Sequence, residues 1–202
     1  MKRLWLEVVQ AVMLLMLINF PASAGVERKN VIKYNPETRN VYFISDITDG
    51  SLKRMMELYD KEHYDTITIT SPGGDFDAGI KMANFVRDNG INLIVSRYCN
   101  SACTVVFFSV AFEKRYMINR SVLGLHNISI KSNVKDGDNS FVSVRQLSTF
   151  TEEMATKVGF LFTLYSANGI PPDVLYKVSR SRGEDVVILT KTELIRYGSV
   201  NQ

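Results

Sequence analysis

The chain has 202 residues, 46% of them hydrophobic, with 24 Lys+Arg against 21 Asp+Glu and a net charge of +3. Such apolar content excludes a disordered polypeptide, and charges of both signs scattered along the chain exclude the basic footprint of a nucleic-acid binder. The length accommodates one well-cored domain.

Lys2 and Arg3 precede an almost wholly apolar run at 11–20, and Pro21-Ala22-Ser23-Ala24 ends in an A-x-A pattern. This is the layout of a secretory signal peptide over 1–24, which predicts cleavage after Ala24 and an exported domain over 25–202, expected in the periplasm of a bacterium. The apolar run is shorter than the roughly 20 residues of a spanning helix, so the membrane is a partner only if the leader is retained.

Val41-Tyr42-Phe43-Ile44-Ser45 predicts the first strand, and Asp49-Gly50-Ser51 opens a helix with Leu52, Met55, Met56 and Tyr59 as core filling. Thr66-Ile67-Thr68-Ile69-Thr70 alternates with the strand period and is broken by Ser71-Pro72-Gly73-Gly74. A second helix follows from Asp77, with Ile80, Ala83 and Val86 on one face and Asn89-Gly90 as its stop. Asn92-Leu93-Ile94-Val95-Ser96 is the next strand and 102–110 the next helix; 116–118 and 122–125 are short strands. Residues 131–140 read as a polar exposed loop and 141–167 as a long helical stretch. Val186-Val187-Ile188-Leu189 is the last strand, and Thr190 with Glu193 forms a capping box for a helix ended by Gly198. Strands alternating with helices, without repeats or linkers, give one α/β domain with a mostly parallel sheet.

The chemistry centres on Ser101, in Tyr98-Cys99-Asn100-Ser101-Ala102-Cys103-Thr104 between an apolar strand and an apolar helix. A serine hydroxyl needs an adjacent base to act as a nucleophile. His126, at the end of Val122-Leu123-Gly124-Leu125, is the candidate; His63 lies in the charged run Asp60-Lys61-Glu62. Acyl transfer also needs donors aimed at the developing oxyanion. The backbone N–H groups of Gly73 and Gly74, and of Ala102 at a helix start, supply them. Cys99 and Cys103 are the only cysteines. They form either a disulfide, which requires Cys99 to lie outside the helix, or two buried thiols. Their spacing from the histidines is not that of a metal site, and no cofactor is implied.

Ser71-Pro72-Gly73-Gly74 with Gly79, then Ser101 among small residues, then Gly124-Leu125-His126 after a 25-residue interval, resembles the proteolytic subunit of the Clp protease in the Clp/crotonase superfamily. The segment from Leu189-Thr190-Lys191 to Arg196-Tyr197-Gly198 is similar to that family's C-terminal segment, and the likeness spans about 41–200. It implies a Clp/crotonase-like spiral of ββα units, serine peptidase activity on peptides or unfolded protein, an oxyanion hole from the Gly74 and Ala102 amides, and a homo-oligomer. The family's third catalytic residue, an aspartate, has no counterpart in Lys177-Val178-Ser179-Arg180-Ser181-Arg182. Asp185 is the carboxylate assigned to orient His126; Ser179 or a backbone carbonyl would instead leave a Ser-His dyad. Residues 131–140 fall where the family carries its ring-joining segment, and their Gly, Asp and Asn content suits strand pairing poorly.

Three rival readings keep the same fold. One is a silent scaffold or peptide-binding protein. A second is acyl-CoA chemistry, disfavoured because export removes the chain from CoA. The third is a Ser-Lys dyad with Lys114 as base.

Overall fold

Alternating apolar residues decide which face of each strand is covered. The computed structural model describes residues 30–128, 143–181 and 185–201. Its seven strands make one sheet in the order β1-β2-β3-β4-β6-β7, with β5 also paired to β4. β1 (Val31–Asn35) and β2 (Asn40–Ile44) pair antiparallel. β3 (Thr66–Ser71), β4 (Asn92–Asn100), β5 (Arg115–Met117) and β6 (Val122–Leu125) extend the sheet in parallel, and β7 (Val187–Thr190) closes it antiparallel on β6. The rows Val41, Ile67, Leu93 and Phe43, Ile69, Val95 lie in register and are fully buried. Tyr42, Ile44 and Ile188 remain exposed. The sequence missed β1, an edge strand whose half-exposed residues lack a clean alternation.

Six α-helices complete the described residues. α1 (Asp49–Glu62) is opened by a reciprocal capping box between Thr48 and Ser51. Met55 is buried but Met56 is exposed, so only one of the paired methionines fills the core. α2 (Phe76–Asp88) is capped by Asp75, whose carboxylate accepts from the Ala78 N–H at 2.7 Å. α3 (Ala102–Ser109) has every residue from Ala102 to Phe108 buried, which explains why its sequence shows an apolar run instead of an amphipathic stripe. α4 (Val144–Ala167) occupies the predicted helical stretch; Val144, Leu147 and Phe150 in its first half are exposed, and burial is confined to Leu161 and Tyr165. α5 (Pro172–Arg180) and α6 (Lys191–Arg196) follow, the latter with the predicted Thr190–Glu193 box.

The Glu193 carboxyl is held below its usual value by the Thr190 backbone N–H and then by its hydroxyl. The segments read as a leader and as a polar loop, 1–24 and 131–140, lie outside the described residues. Among the described residues no helix is long and apolar enough to cross a membrane.

Candidate active site

Three neighbouring parallel strands deliver the site. β3, β4 and β6 run in the same direction, so their C-terminal ends lie side by side, with adjacent strands about 4.8 Å apart. β3 ends in the Ser71-Pro72-Gly73-Gly74 turn, β4 runs to Asn100 and hands over to Ser101, and β6 ends one residue before His126. Asn100 pairs with Gly124, and the Ser101 N–H donates to the Gly124 carbonyl at 2.8 Å. Strand β4 is four residues longer than its apolar core predicts, and that extension carries the serine to the sheet's edge.

Ser101 turns the chain abruptly from strand to helix. Its backbone takes φ 55 and ψ −127, a conformation that costs a residue with a side chain about 1–3 kcal/mol and persists only where its surroundings enforce it. The enforcement is visible. The Thr104 N–H and hydroxyl both donate to the Ser101 carbonyl, at 2.8 and 2.6 Å, and Thr104 Oγ1 meets the hydroxyl of buried Tyr165 at 2.6 Å. Burial pushes the Tyr165 phenol well above its ordinary value, so it stays a neutral partner. Cys99 and Cys103, whose Cα atoms are 5.2 Å apart, form a disulfide across the turn. Of the two sequence readings the bridge holds, because Cys99 belongs to β4 and only Cys103 to the helix.

The glycines sit against this turn. Gly73 (φ 97) and Gly74 (φ 145) occupy backbone conformations that favour glycine. A Cβ on Gly73 would lie 2.6 Å from the Ser101 Cβ, and one on Gly74 would lie 2.2 Å from the Ile47 carbonyl oxygen. The two proposed donors are not equivalent. The Gly73 N–H is engaged by Ser71 Oγ at 3.1 Å. The Gly74 N–H has no partner among the described residues, and Ala102 as the first residue of α3 has no acceptor within its helix. Gly74 and Ala102 are thus the free pair.

His126 lines the same cavity as Ser101, Gly73, Gly74 and Ala102, without a direct hydrogen bond to the serine. Its Nδ1 is hydrogen-bonded to the Asn127 carbonyl oxygen. A carbonyl only accepts, so Nδ1 carries a proton, and in the neutral ring Nε2 keeps its lone pair. Asn127 is itself anchored: its N–H donates to Ser181 Oγ at 2.9 Å and its side-chain amide to the Ser179 carbonyl at 3.3 Å. The end of α5 therefore reaches the histidine through Asn127. Asp185, assigned from sequence to orient His126, is exposed, lies off the cavity wall and makes no hydrogen bond to the imidazole among the described residues. Lys114 is also absent from that wall; it bonds the Gly90 carbonyl.

The cavity encloses about 760 Å³. Phe76, Val105, Met154 and Leu161 give it apolar walls, and Lys157 stands at its side. Lys157 Nζ reaches Asp77 and Glu153, each at 2.8 Å. Hydrogen bonds to Asp77 and then Glu153 hold the ammonium above the ordinary lysine value, so it is a cation at neutral pH and unsuited to be a base. Sequence reasoning missed this wall, together with Asn127 and Ser181. Met154, Lys157 and Leu161 recur at helical spacing, but nothing in the sequence says which element that face of α4 meets.

No protein-family model matches the chain, and no curated protein matches it in sequence. Among solved structures it is similar to a point mutant of ClpP1 from Listeria monocytogenes, with a TM-score of 0.61 and 17% sequence identity over 82% of this chain and 90% of that one. At such identity the likeness is one of architecture: the chain has a mixed α/β fold similar to that of ClpP.

Proposed function

We propose that the protein is a serine peptidase acting on peptides or unfolded segments, with Ser101 as nucleophile and His126 as base. One observation carries this reading: the ends of three adjacent parallel strands bring a hydroxyl, an imidazole with a free Nε2 and two unengaged main-chain N–H groups to one cavity. Ser101 Oγ attacks the scissile carbonyl carbon while Nε2 accepts its proton, and the oxyanion forms against the N–H groups of Gly74 and Ala102. The imidazolium then gives its proton to the leaving amine. A water molecule repeats the sequence on the acyl-serine, restoring the enzyme.

The Asn127 carbonyl, in place of a carboxylate, holds the ring in the required tautomer. This favours a Ser-His dyad over Asp185 as a third member. Contact between Oγ and Nε2 is expected to tighten when substrate fills the cavity, since catalytic hydrogen bonds are commonly long in free enzymes. Apolar walls suit a peptide with an apolar side chain beside the scissile bond.

We also propose export through cleavage after Ala24, which separates the enzyme from any ATP-driven unfoldase and restricts it to chains already unfolded. The exposed apolar residues Val144 and Leu147 on α4 support self-association. A fluorophosphonate probe tests the central claim. Wild-type protein is expected to label, Ser101→Ala not at all, and His126→Ala at least about 10²-fold more slowly. Equal labelling of Ser101→Ala defeats the assignment, and a folded wild-type protein that takes no label is the silent scaffold instead. N-terminal sequencing of periplasmic protein beginning at Gly25 would support the leader, and an intact Met1 would refute its cleavage.

A further inference from the structure

The covalent bond around the nucleophile has no role in the reaction just described. Cys99 is fixed in the sheet by pairing with Ser71 of β3 and Leu123 of β6, while Cys103 lies in the first turn of α3. Their bond therefore fastens sheet to helix across Asn100, Ser101 and Ala102, the segment that contains the positive-φ serine and one oxyanion donor.

Two physical points separate local positioning from general stapling. A disulfide stabilises a fold through the unfolded chain in proportion to the logarithm of the loop it closes, and this loop is at the short limit. Its effect is thus chiefly local. An extended run over the same positions would part the Cα atoms by about 13 Å, whereas they are 5.2 Å apart, within disulfide reach. The bond excludes the relaxed extended conformation in which Ser101 would leave the corner formed with Gly74 and Ala102. Both cysteines are 0% exposed, so the folded chain shields the bond from thiols in solution. It is built as a permanent lock.

We propose that the Cys99–Cys103 disulfide is a positioning element for Ser101: without it the chain keeps its fold and substrate affinity but loses the reactivity of the hydroxyl. This rests on Ser101 being the nucleophile. The sequence offers a direct measurement, because trypsin releases residues 98–114 as one peptide containing both cysteines and Ser101. Wild-type protein is partly reduced with dithiothreitol in mild urea, where the protein sulfurs gain two electrons and two protons and the reagent leaves as its cyclic disulfide. After transfer to native buffer without oxygen, it is exposed briefly to a fluorophosphonate, denatured and alkylated. Mass spectrometry then reads bridged and alkylated peptides, each with or without the probe.

The expected result is a maximal labelling rate at least tenfold lower in the dithiol population, with the half-saturating probe concentration unchanged. The Cys99→Ala/Cys103→Ala double variant is expected to keep the far-UV circular dichroism of the wild type and show the same loss of rate. Equal maximal rates in the two populations overturn this inference alone. So does a fall in rate and affinity together with loss of the folded spectrum, which marks a general staple. Probe absent from both populations of folded protein overturns the hydrolase reading and this one with it.

Discussion

The Ser101 side and the His126 side of the cavity are built to different tolerances. Ser101 is gripped by strand pairing, a disulfide, the Thr104–Tyr165 hydrogen bonds and a glycine turn with no spare room. His126 stands just past a strand end and is oriented by the carbonyl of its own neighbour, which two residues at the end of α5 hold in place. The contrast follows from what each group must do. A backbone held in an unfavourable conformation needs several independent restraints, because removing any one lets it relax. An imidazole needs only a defined tautomer and freedom to turn toward the serine as substrate arrives. Rigidity is concentrated at the turn where the proposed reaction uses the main chain itself.

Substitutions on the two sides should therefore differ in size and kind. After Ser101→Ala itself, the largest effect is expected from Gly74→Ala, whose Cβ meets the Ile47 carbonyl and whose φ of 145 suits glycine. Overpacking of this sort costs about 1–3 kcal/mol of stability, and a displaced oxyanion donor lowers turnover about 10²–10³-fold. Thermal melts and labelling rates read the two losses separately, and a fully active Gly74→Ala protein would refute the donor assignment.

On the base side, Ser181→Ala removes the hydroxyl that receives the Asn127 N–H. A loss of about 1 kcal/mol in positioning corresponds to roughly a fivefold fall in labelling rate. Asp185→Asn is expected to leave the rate within twofold, since that carboxylate is exposed, off the cavity wall and without a hydrogen bond to the imidazole among the described residues. A large loss in Asp185→Asn with none in Ser181→Ala would reverse the choice between carbonyl and carboxylate.

Among the substitutions expected to have an effect, the smallest belongs to Lys157→Met, which unties α4 from Asp77 of α2 and breaks the pair with Glu153 on α4 itself. Partly solvated ion pairs contribute under about 1 kcal/mol, so the expected change is a two- to threefold rise in half-saturating substrate with maximal rate preserved. The pH dependence has a definite sign. Because Asp77 and Glu153 raise the Lys157 value above the ordinary 10.5, its stabilisation is complete below that pH and is lost as pH climbs through the raised value. The difference in thermal midpoint between wild type and Lys157→Met should thus hold constant from pH 6 to about 9 and shrink only in stronger alkali. A difference that disappears near neutrality would show that Lys157 does not work through this pairing.

Much of the framework was legible because it depends on local pattern. Thr66-Ile67-Thr68-Ile69-Thr70 reads as a strand from its alternation, and the Thr190–Glu193 box marks a helix start through a hydrogen bond spanning three residues. Ser101, His126, Gly74 and Ala102 were nameable from the chemistry each residue type offers and their order along the chain. Relations across the fold were not legible. Met55 and Met56 are alike in sequence yet opposite in burial, because only one side of α1 meets the sheet. The first half of α4 carries exposed apolar residues, since periodicity reveals a face but not whether a partner covers it. Asp185 was plausible by proximity in sequence, while the contact to His126 runs through Ser181, 54 residues from Asn127.

By itself, then, the chain's sequence determined an alternating α/β order, the helix caps, and a serine, a histidine and glycines suited to acyl transfer. Only the tertiary structure decided that these groups share one cavity, that the Gly74 N–H, unlike that of Gly73, has no partner among the described residues, and that the Asn127 carbonyl meets the imidazole Nδ1. The reason is one of range. Caps and strand alternation are set by neighbours a few residues away, whereas the site exists because parallel pairing aligns the ends of β3, β4 and β6.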